Sequence, residues 1–466
     1  MPGNEPVLTA AQMRAAEQAL IAQGVSVDEL MRRAGEGAAE WVWRMAAGGS
    51  VTVLCGPGNN GGDGYVIAQT LHARGLSVRV IAPMEPTTDA ARNARARWTG
   101  DVMTDVDGAG GRVLVDCLFG SGLSRPLLPE HARLIANLAA RHRRVVAVDL
   151  PSGVATDDGA LLGDVVRCDL TLALGAWKPA HFLMPALSVV GTVKLVTIGA
   201  LPDEFGALFV KSAPRLSVPE RGAHKYSRGF MGIVGGEMAG AAQLASKAAV
   251  YSGAGYVKLF VDEAPPNAPS ALVVESGDLA QAVSDKRISA LLIGPGLGRS
   301  DTARDKLAIT LEANVATVMD ADALHLLDDD LLEGVDATRL LITPHEGELN
   351  SLCKTFEIKE KTKRKKVEEL AARTGMTVLA KGPDTLLATP DAPTMFFPPA
   401  PTWLASAGTG DVLAGIVASR LSIGRNSLEA ASEAIWLHAE AARVAGPALI
   451  ADDLAAAVPK AYARLL

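Results

Sequence analysis

The residues with the most chemical promise lie in two glycine-rich loops, GPGNNGGDG at Gly56–Gly64 and AGTGDVLAG at Ala407–Gly415. Each follows an apolar or loop segment and opens a helical pattern. In that geometry, backbone N–H groups hold an anion. The first loop adds paired carboxamides, Asn59 and Asn60, and a carboxylate, Asp63; the second adds Asp411. Gly56, Gly58 and Gly61 match the G-x-G-x-x-G spacing of a dinucleotide-binding turn, and Glu85, read as the end of the next strand, completes that context. A plain dehydrogenase is therefore one reading. Asp63 argues against it, because a carboxylate repels a pyrophosphate. Amide oxygens with a carboxylate suit a hard cation together with hydroxyl or ribose groups.

Further candidates sit where apolar runs end. Asp116 closes VLVDC and leads into a flexible anion-binding turn formed by Gly120, Ser121, Gly122, Leu123, Ser124, Arg125 and Pro126. Asp149 and Ser152 share the segment DLPSG. The C-terminal edges of a parallel sheet converge on one crevice, so Asn60, Asp116, Asp149 and Ser152 are expected to face a common site. For any one of them, capping a turn or helix is the plain alternative. In the second half, Gly240 and Ala241 open a helix after GFMGIVGG, and IGPGLG, with Gly296, strips side chains from a strand end. TPHEGE places His345 at another, although a lone histidine is more often structural. Lys381, Gly382, Pro383, Asp384 and Thr385 offer a cation and a hydroxyl to a nucleotide's phosphate or ribose. Gly408–Gly410 would form an anion hole, with Asp411 placed to take a proton from an attacking hydroxyl. No Walker lysine is present, so the loop is of the ribokinase-like style rather than a P-loop.

These residues need scaffolds. Apolar runs at Val51–Gly56, Leu76–Pro83, Arg112–Gly120 and Arg144–Gly153 alternate with helical patterns, and two more fall within Asp169–Gly199. That pattern predicts a parallel sheet covered on both faces. Thr9–Met45 reads as helices, with Ser26 and Glu29 as a capping box. A connector carrying Pro202, Pro214 and Pro219 spans Ala200–Gly222, and a second alternating series starts at Gly229 and ends in Ala-rich helices. A chain of 466 residues exceeds one core, so two α/β domains are expected, residues 1–212 and 213–466.

Composition narrows the class. A formal charge of −7 argues against a general nucleic-acid or membrane-surface binder. The basic run Lys359–Lys366 reads as a solvated helix face or lid. Cys55, Cys117, Cys168 and Cys353 form no C-x-x-C pair and read as buried thiols in a reducing cytoplasm. Neither a signal peptide nor a membrane-spanning run is recognisable.

GNNGGDG, VDCLFGSGLSRP, AVDLPSG and AWKPAH together resemble the epimerase domain of the NAD(P)H-hydrate repair system, over about residues 8–210. The resemblance implies a Rossmann-like three-layer αβα domain in which Asn60, Asp116 and Ser152 bind potassium. It implies that Asn59, Asn60, Gly61, Gly62, Asp63, the Gly120–Pro126 turn and Asp149 contact the hydrated nicotinamide nucleotide. Asp149 would handle protons at C6 as the R and S hydrates interconvert. The order GFMGIVGG, IGPGLG, TPHEGE, KGPDT, AGTGDVLAG resembles the NAD(P)H-hydrate dehydratase, a ribokinase-like fold, over about residues 222–466. Carried over, Ala241, Gly296, His345 and Asp411 would contact the hydrate, and Lys381–Thr385 with Gly410 the adenine nucleotide, ADP or ATP, assisted by magnesium. Trp403 departs from the small-residue run that precedes the family's GTGD loop and is expected to alter packing beside the nucleotide. The combined expectation is a cytoplasmic, homo-oligomeric repair enzyme for hydrated NADH and NADPH. A small-molecule kinase fused to a dinucleotide-binding module, or a non-catalytic nucleotide sensor, is the competing reading.

Overall fold

The computed structural model describes residues 4–104, 106, 108–199, 206–210, 212–265 and 268–466. Its contacts divide the chain into two compact units, Met1–Phe209 and Val210–Leu466. The Pro202 of the expected connector lies outside the described residues.

In the first unit, seven parallel strands run in the order Val102–Met103, Val78–Ile81, Val51–Cys55, Gly111–Cys117, His142–Val148, Leu170–Leu174, Thr192–Val196. Every residue of Val51–Cys55 is buried, as expected of a strand covered on both faces. The chain order reverses between Val51–Cys55 and Gly111–Cys117, with Leu54 paired to Asp116. Loops leaving these two strands open a crevice at that switch point. Helices Val27–Ala46, Asn59–Ala73 and Asp89–Arg97 contribute Met31, Tyr65 and Ala94 to the core over one face. Ser26 caps the first of these by accepting from the Glu29 N–H (3.1 Å), but the expected reciprocal bond is not made. The Glu29 carboxylate pairs with Arg32 and Arg33 instead. Glu85 does not end a strand: Val78–Ile81 stops four residues earlier, and Glu85 is an exposed loop residue 3.7 Å from Arg95.

The second unit holds a nine-strand run in the order Ala392–Phe396, Leu386–Thr389, Thr377–Ala380, Leu340–Ile342, Ala316–Met319, Ala290–Ile293, Phe230–Val234, Tyr256–Phe260, Val273–Glu275. Only the pairings of Leu386–Thr389 are antiparallel among those resolved in register. Its switch point lies between Phe230–Val234 and Ala290–Ile293, so the loops carrying Ala241 and Gly296 leave adjacent strands. Helices Ala239–Tyr251, Thr409–Ser422, Ser427–Ala445 and Ala451–Arg464 share one apolar cluster with the sheet. Thr409–Ser422 is buried almost all round, which fixes the glycine loop at its start. All four cysteines are buried and free. Among the described residues no helix is long and apolar enough to cross a membrane.

Candidate active sites

In the first unit the close approach of two loops requires glycine: a Cβ on Gly61 would lie 1.9 Å from the Gly56 carbonyl oxygen. The helix Asn59–Ala73 can therefore start directly against the strand end, with Asn60 in its first turn and Asp63 at the start of the next. Asp116 and Ser152 meet: the Ser152 hydroxyl donates to Asp116 Oδ1 at 2.7 Å and its N–H to Oδ2 at 2.8 Å. Burial lifts the Asp116 carboxyl to about 6, against the pull of those bonds. Asn60 faces the next loop, where a Cβ on Gly120 would be 3.0 Å from Asn60 Cγ. Both amide atoms of Asn60 are buried without a hydrogen-bond partner. An orphaned buried amide costs about 1–3 kcal/mol, which a ligand that satisfies it would recover.

Asp149 occupies a separate, charged pocket in the same crevice. Its backbone is left-handed (φ 65°), a conformation Asp tolerates better than most residues. Lys178, itself buried, donates to Asp149 Oδ1 and to the Leu174 carbonyl, and Ser121 N–H donates to Oδ2 at 3.2 Å. Burial works to raise Asp149, but Lys178 and the Ser121 hydrogen bond outweigh it and hold the carboxyl below its usual value. His181 Nε2 contacts the Asp149 carbonyl oxygen at 2.8 Å, and burial depresses the imidazole to about 4, so it is neutral at pH 7. Asp63 goes the other way. Burial first, then Asp149 and Glu17, push it well above its usual value. Two carboxyls in one crevice pushed in opposite directions divide naturally into base and acid. Of the Gly120–Pro126 turn, Gly120 and Ser121 border this pocket, and Thr156 holds the Ser121 carbonyl at 2.8 Å. Gly122, Ser124, Arg125 and Pro126 are exposed; Leu123 N–H bonds back to Gly120 (3.2 Å).

In the second unit Gly408 (φ 84°) precedes the helix start, and Asp411 sits in the first turn. A Cβ on Gly410 would lie 3.3 Å from Lys381 Nζ. Lys381 bonds Asp320 Oδ1 at 2.6 Å and approaches Glu348 Oε2 at 4.0 Å. Burial opposes its charge, yet Asp320 and Glu348 prevail and hold Lys381 firmly protonated. Burial, then Asp320, with Glu348 and Asp322 adding, lifts Asp411 to about 7 despite Lys381. A carboxyl with that affinity, at a helix N-terminus, is matched to proton abstraction near neutral pH. His438 Nε2 contacts the Thr409 carbonyl oxygen at 2.9 Å, tying down the glycine turn from the neighbouring helix.

Gly296 (φ 66°) is pressed against the first switch-point loop; a Cβ there would be 2.2 Å from the Met238 carbonyl oxygen. Gly240 and Ala241 start the helix beside it, Gly240 with open space around it. His345 serves as a helix cap. Its Nδ1 accepts from the N–H groups of Gly347 (2.9 Å) and Glu348 (3.2 Å), leaving an exposed ring edge. The KGPDT segment is bound to the basic run. Lys363 donates to the Asp384 carboxylate and to the Lys381 and Asp384 carbonyls, and Thr385 closes onto Gly382 (2.8 Å) while Pro383 stays exposed. The expectation of a solvated face at Lys359–Lys366 is corrected here: Arg364 is buried against Glu368, and the ammonium of half-buried Lys363 is enclosed by the Lys381–Asp384 loop. Trp403 lies on a short 3-10 turn and is half exposed.

Comparison with known proteins follows the same division. Residues 231–459 match the family model described as NAD(P)H-hydrate dehydratase, and residues 27–180 match that of the YjeF-related protein N-terminus. A bifunctional NAD(P)H-hydrate repair enzyme from Gloeobacter violaceus is 34% identical, covering 93% of this chain and 92% of its own. One from Mycobacterium tuberculosis is also 34% identical, with 90% of both chains covered. The chain belongs to the bifunctional NAD(P)H-hydrate repair enzymes. It is thus an enzyme with an isomerase unit and a lyase unit, Rossmann-like and ribokinase-like in turn. A solved ADP/ATP-dependent NAD(P)H-hydrate dehydratase from Bacillus subtilis, co-crystallised with ATP and Mg2+, is 24% identical, covers 54% of this chain and 95% of its own, and has a TM-score of 0.45.

Lys178, Glu348 and Asp320 lie beside the expected residues without being among them, and the first two carry no sequence signal of their own. Lys178 falls inside AWKPAH, yet a lysine after a strand ordinarily reads as surface. Glu348 has the form of a capping-box residue, which it is, and Asp320 ends an apolar strand much as Asp116 does. That strand-end rule would have found Asp320.

Proposed function

We propose that the first unit interconverts the R and S hydrates of NADH and NADPH. In the same reading, the second unit dehydrates the S hydrate at the expense of an adenine nucleotide, ADP. What carries the reading is Asp411: a carboxyl poised at about 7, in the first turn of a glycine-opened helix, beside a protonated lysine. Hydroxide is a poor leaving group. Asp411 takes the proton of the C6 hydroxyl as its oxygen attacks the terminal phosphorus. The Gly408–Gly410 N–H groups and Lys381 meet the charge that develops. Phosphate then leaves C6 as a proton leaves C5, and the C5–C6 double bond of the reduced nicotinamide is restored. Ala241, Gly296 and His345 would border the hydrate, and Lys381–Thr385 the nucleotide. Among the described residues no group of three His, Cys, Asp or Glu could itself hold an ion, so magnesium would be held by the nucleotide's phosphates, neutralising their charge.

In the first unit C6 bears both the hydroxyl and the ring nitrogen. The nitrogen lone pair expels the hydroxyl as water, with Asp63 supplying the proton, and C6 becomes planar. Water re-adding to the opposite face gives up its proton to Asp149, and the other epimer results. Lys178 keeps Asp149 ionised beforehand, and Asn59–Asp63 with Gly120–Pro126 line the substrate. The orphaned amide of Asn60, the Asp116 carboxylate and the Ser152 hydroxyl fit a potassium ion, which would supply a fixed positive charge to the hydrate's anionic groups. We further read the protein as a cytoplasmic homo-oligomer, which light scattering on the purified chain would test.

The test of both activities is one assay. Mixed R and S hydrate is incubated with ADP or ATP, and absorbance of the reduced nicotinamide is followed. Full conversion is expected. Conversion of the S fraction alone removes the epimerase assignment. No conversion with either nucleotide removes the dehydratase assignment, and release of a phosphorylated alcohol would make the second unit a kinase.

A further inference from the structure

The basic run Lys359–Lys366 stands where a helix tolerates cations least. Its last four residues, Lys363, Arg364, Lys365 and Lys366, open the helix Lys363–Thr374, and no acidic residue shares that first turn. The N-terminal end of a helix is already partly positive, so cations there are misplaced. Three of the four have partners on nearby helical surface. Arg364 and Lys365 bond the two oxygens of the Glu368 carboxylate (2.7 and 3.0 Å), and Lys366 bonds Asn350 Oδ1 (2.7 Å). Lys363 instead reaches across to the loop 381–385, which joins the antiparallel strands Thr377–Ala380 and Leu386–Thr389. A local rule broken in this way points to a site.

The loop closes around the ammonium. Lys363 Nζ donates to Asp384 Oδ1 (2.5 Å), to the Asp384 carbonyl (3.0 Å) and to the Lys381 carbonyl (3.2 Å). An ammonium has three N–H groups, and all three are used. The Lys363 side chain is only 10% exposed, and Asp384 is buried. Gly382 (φ 154°) leaves the ammonium its place, since a Cβ there would lie 2.8 Å from Nζ. The Thr385 hydroxyl closes the loop from within, onto the Gly382 carbonyl. A loop at the surface can leave its carbonyls to water. Filling it with an ammonium costs desolvation and the freedom of a long side chain, so the fixed shape of the loop has a use.

That shape is separate from the placing of the Lys381 charge. Lys381 Nζ is held by Asp320 Oδ1 at 2.6 Å, and a Cβ on Gly410 would come within 3.3 Å of it. The backbone N–H of Lys381 donates to the Pro344 carbonyl (2.8 Å). Asp320 and Pro344 thus fix the Lys381 ammonium and the start of the loop. The course of the chain from the Lys381 carbonyl to Asp384 depends on Lys363.

We infer that Lys363 is the positioning residue of this loop: it holds residues 381–385 in the form that receives the phosphate or ribose of the adenine nucleotide, and so sets nucleotide affinity rather than the rate of phosphoryl transfer. The inference rests on the nucleotide reading of the loop. Lys363 acts through the loop's backbone and through Asp384, and it touches no reacting atom.

The test uses the full-length Lys363→Met variant, with S hydrate and ADP varied in turn. The KM for ADP is expected to rise about tenfold or more, the scale of one lost charge-assisted hydrogen bond. The KM for the hydrate should stay within about twofold, and kcat should fall by less than about threefold, because Asp320 still holds Lys381. The rise in melting temperature that ADP gives the wild type should shrink in the variant. Removing the cation strands the Asp384 carboxylate, so a second comparison guards against misfolding: the same rise in KM is expected between Asp384→Asn and Lys363→Met/Asp384→Asn. An unchanged KM for ADP in both comparisons would overturn the inference. So would an equal rise in both KM values, which marks a general loosening of the second unit, or a loss confined to kcat. The wild type separates the inference from its foundation: if ADP and ATP neither raise its melting temperature nor support conversion of S hydrate, the nucleotide reading fails, whatever Lys363 does.

Discussion

Replacing Asp411 by asparagine should abolish dehydration and stabilise the protein at the same time. Folding raises this carboxyl from 3.8 to about 7, chiefly through burial and Asp320. Between those values the native state holds more proton than the unfolded chain, so stability falls as pH rises from about 4 to 7 and then levels off. At 1.36 kcal/mol per pH unit the ceiling is about 4 kcal/mol. Asp411 is only partly buried, and solvent screens it, so about 1–2 kcal/mol is the expected scale. Asparagine cannot ionise and escapes that penalty. At pH 8 the unit that nucleotide protects should melt about 2–8 °C higher in the variant, and near pH 4 the two proteins should coincide. Turnover should fall by about 10²–10⁴ at pH 8, where wild-type Asp411 is ionised, and far less near pH 4, where it is already protonated. Scanning calorimetry of the full chain at pH 4, 6 and 8, with and without ADP, identifies the transition. A stability gain that does not depend on pH would refute the electrostatic account, and a variant that still dehydrates would refute the assignment of the base.

Lys178→Met leaves Asp149 buried without its cation, so the carboxyl takes up a proton; epimerisation should drop about 100-fold at pH 7 and recover as pH rises. An unchanged pH–rate profile would count against that pairing. Asn60→Leu replaces the orphaned amide by an isostere: wild type should melt higher in potassium chloride than in tetramethylammonium chloride, and the variant should not distinguish them. A variant with the wild type's salt preference would remove Asn60 from the potassium site. Gly296→Ala drives a Cβ to 2.2 Å from the Met238 carbonyl oxygen at positive φ, so dehydration should be lost while label exchange between epimers persists. Dehydration at the wild-type rate would mean that the loop is free to move.

Much of this arrangement can be read from local pattern. Strands buried on both faces are continuous apolar runs, and carboxylates at their ends stand out, so Asp116 and Asp149 are visible in the sequence, as is the glycine loop before Asp411. Residues that reach a site from a distant element carry no such mark. Lys178 lies 29 residues beyond the Asp149 it pairs with, and nothing in its local pattern marks it as buried. Lys363 sits in a run whose composition says solvent, and only the return of KGPDT beneath it buries the ammonium. The short edge strand Val273–Glu275 is equally hidden, since it lacks the length for a periodic signal. Capping explains His345, where a side-chain nitrogen bound to backbone N–H groups looks in sequence like a reactive one.

The helix Ala10–Ala22 packs beside Ala176, two residues before the Lys178 that pairs with Asp149, and it buries only Met13 and Ala16. An element with so little apolar anchorage opens at a small fraction of the free energy that unfolds the sheet beneath it. On warming, it should detach while Val51–Cys55 and its neighbours remain folded, and its amides should exchange hydrogen early. One polypeptide would then lose its two activities at different temperatures. Between those temperatures it would still consume S hydrate, but it would leave the R epimer to spontaneous inversion.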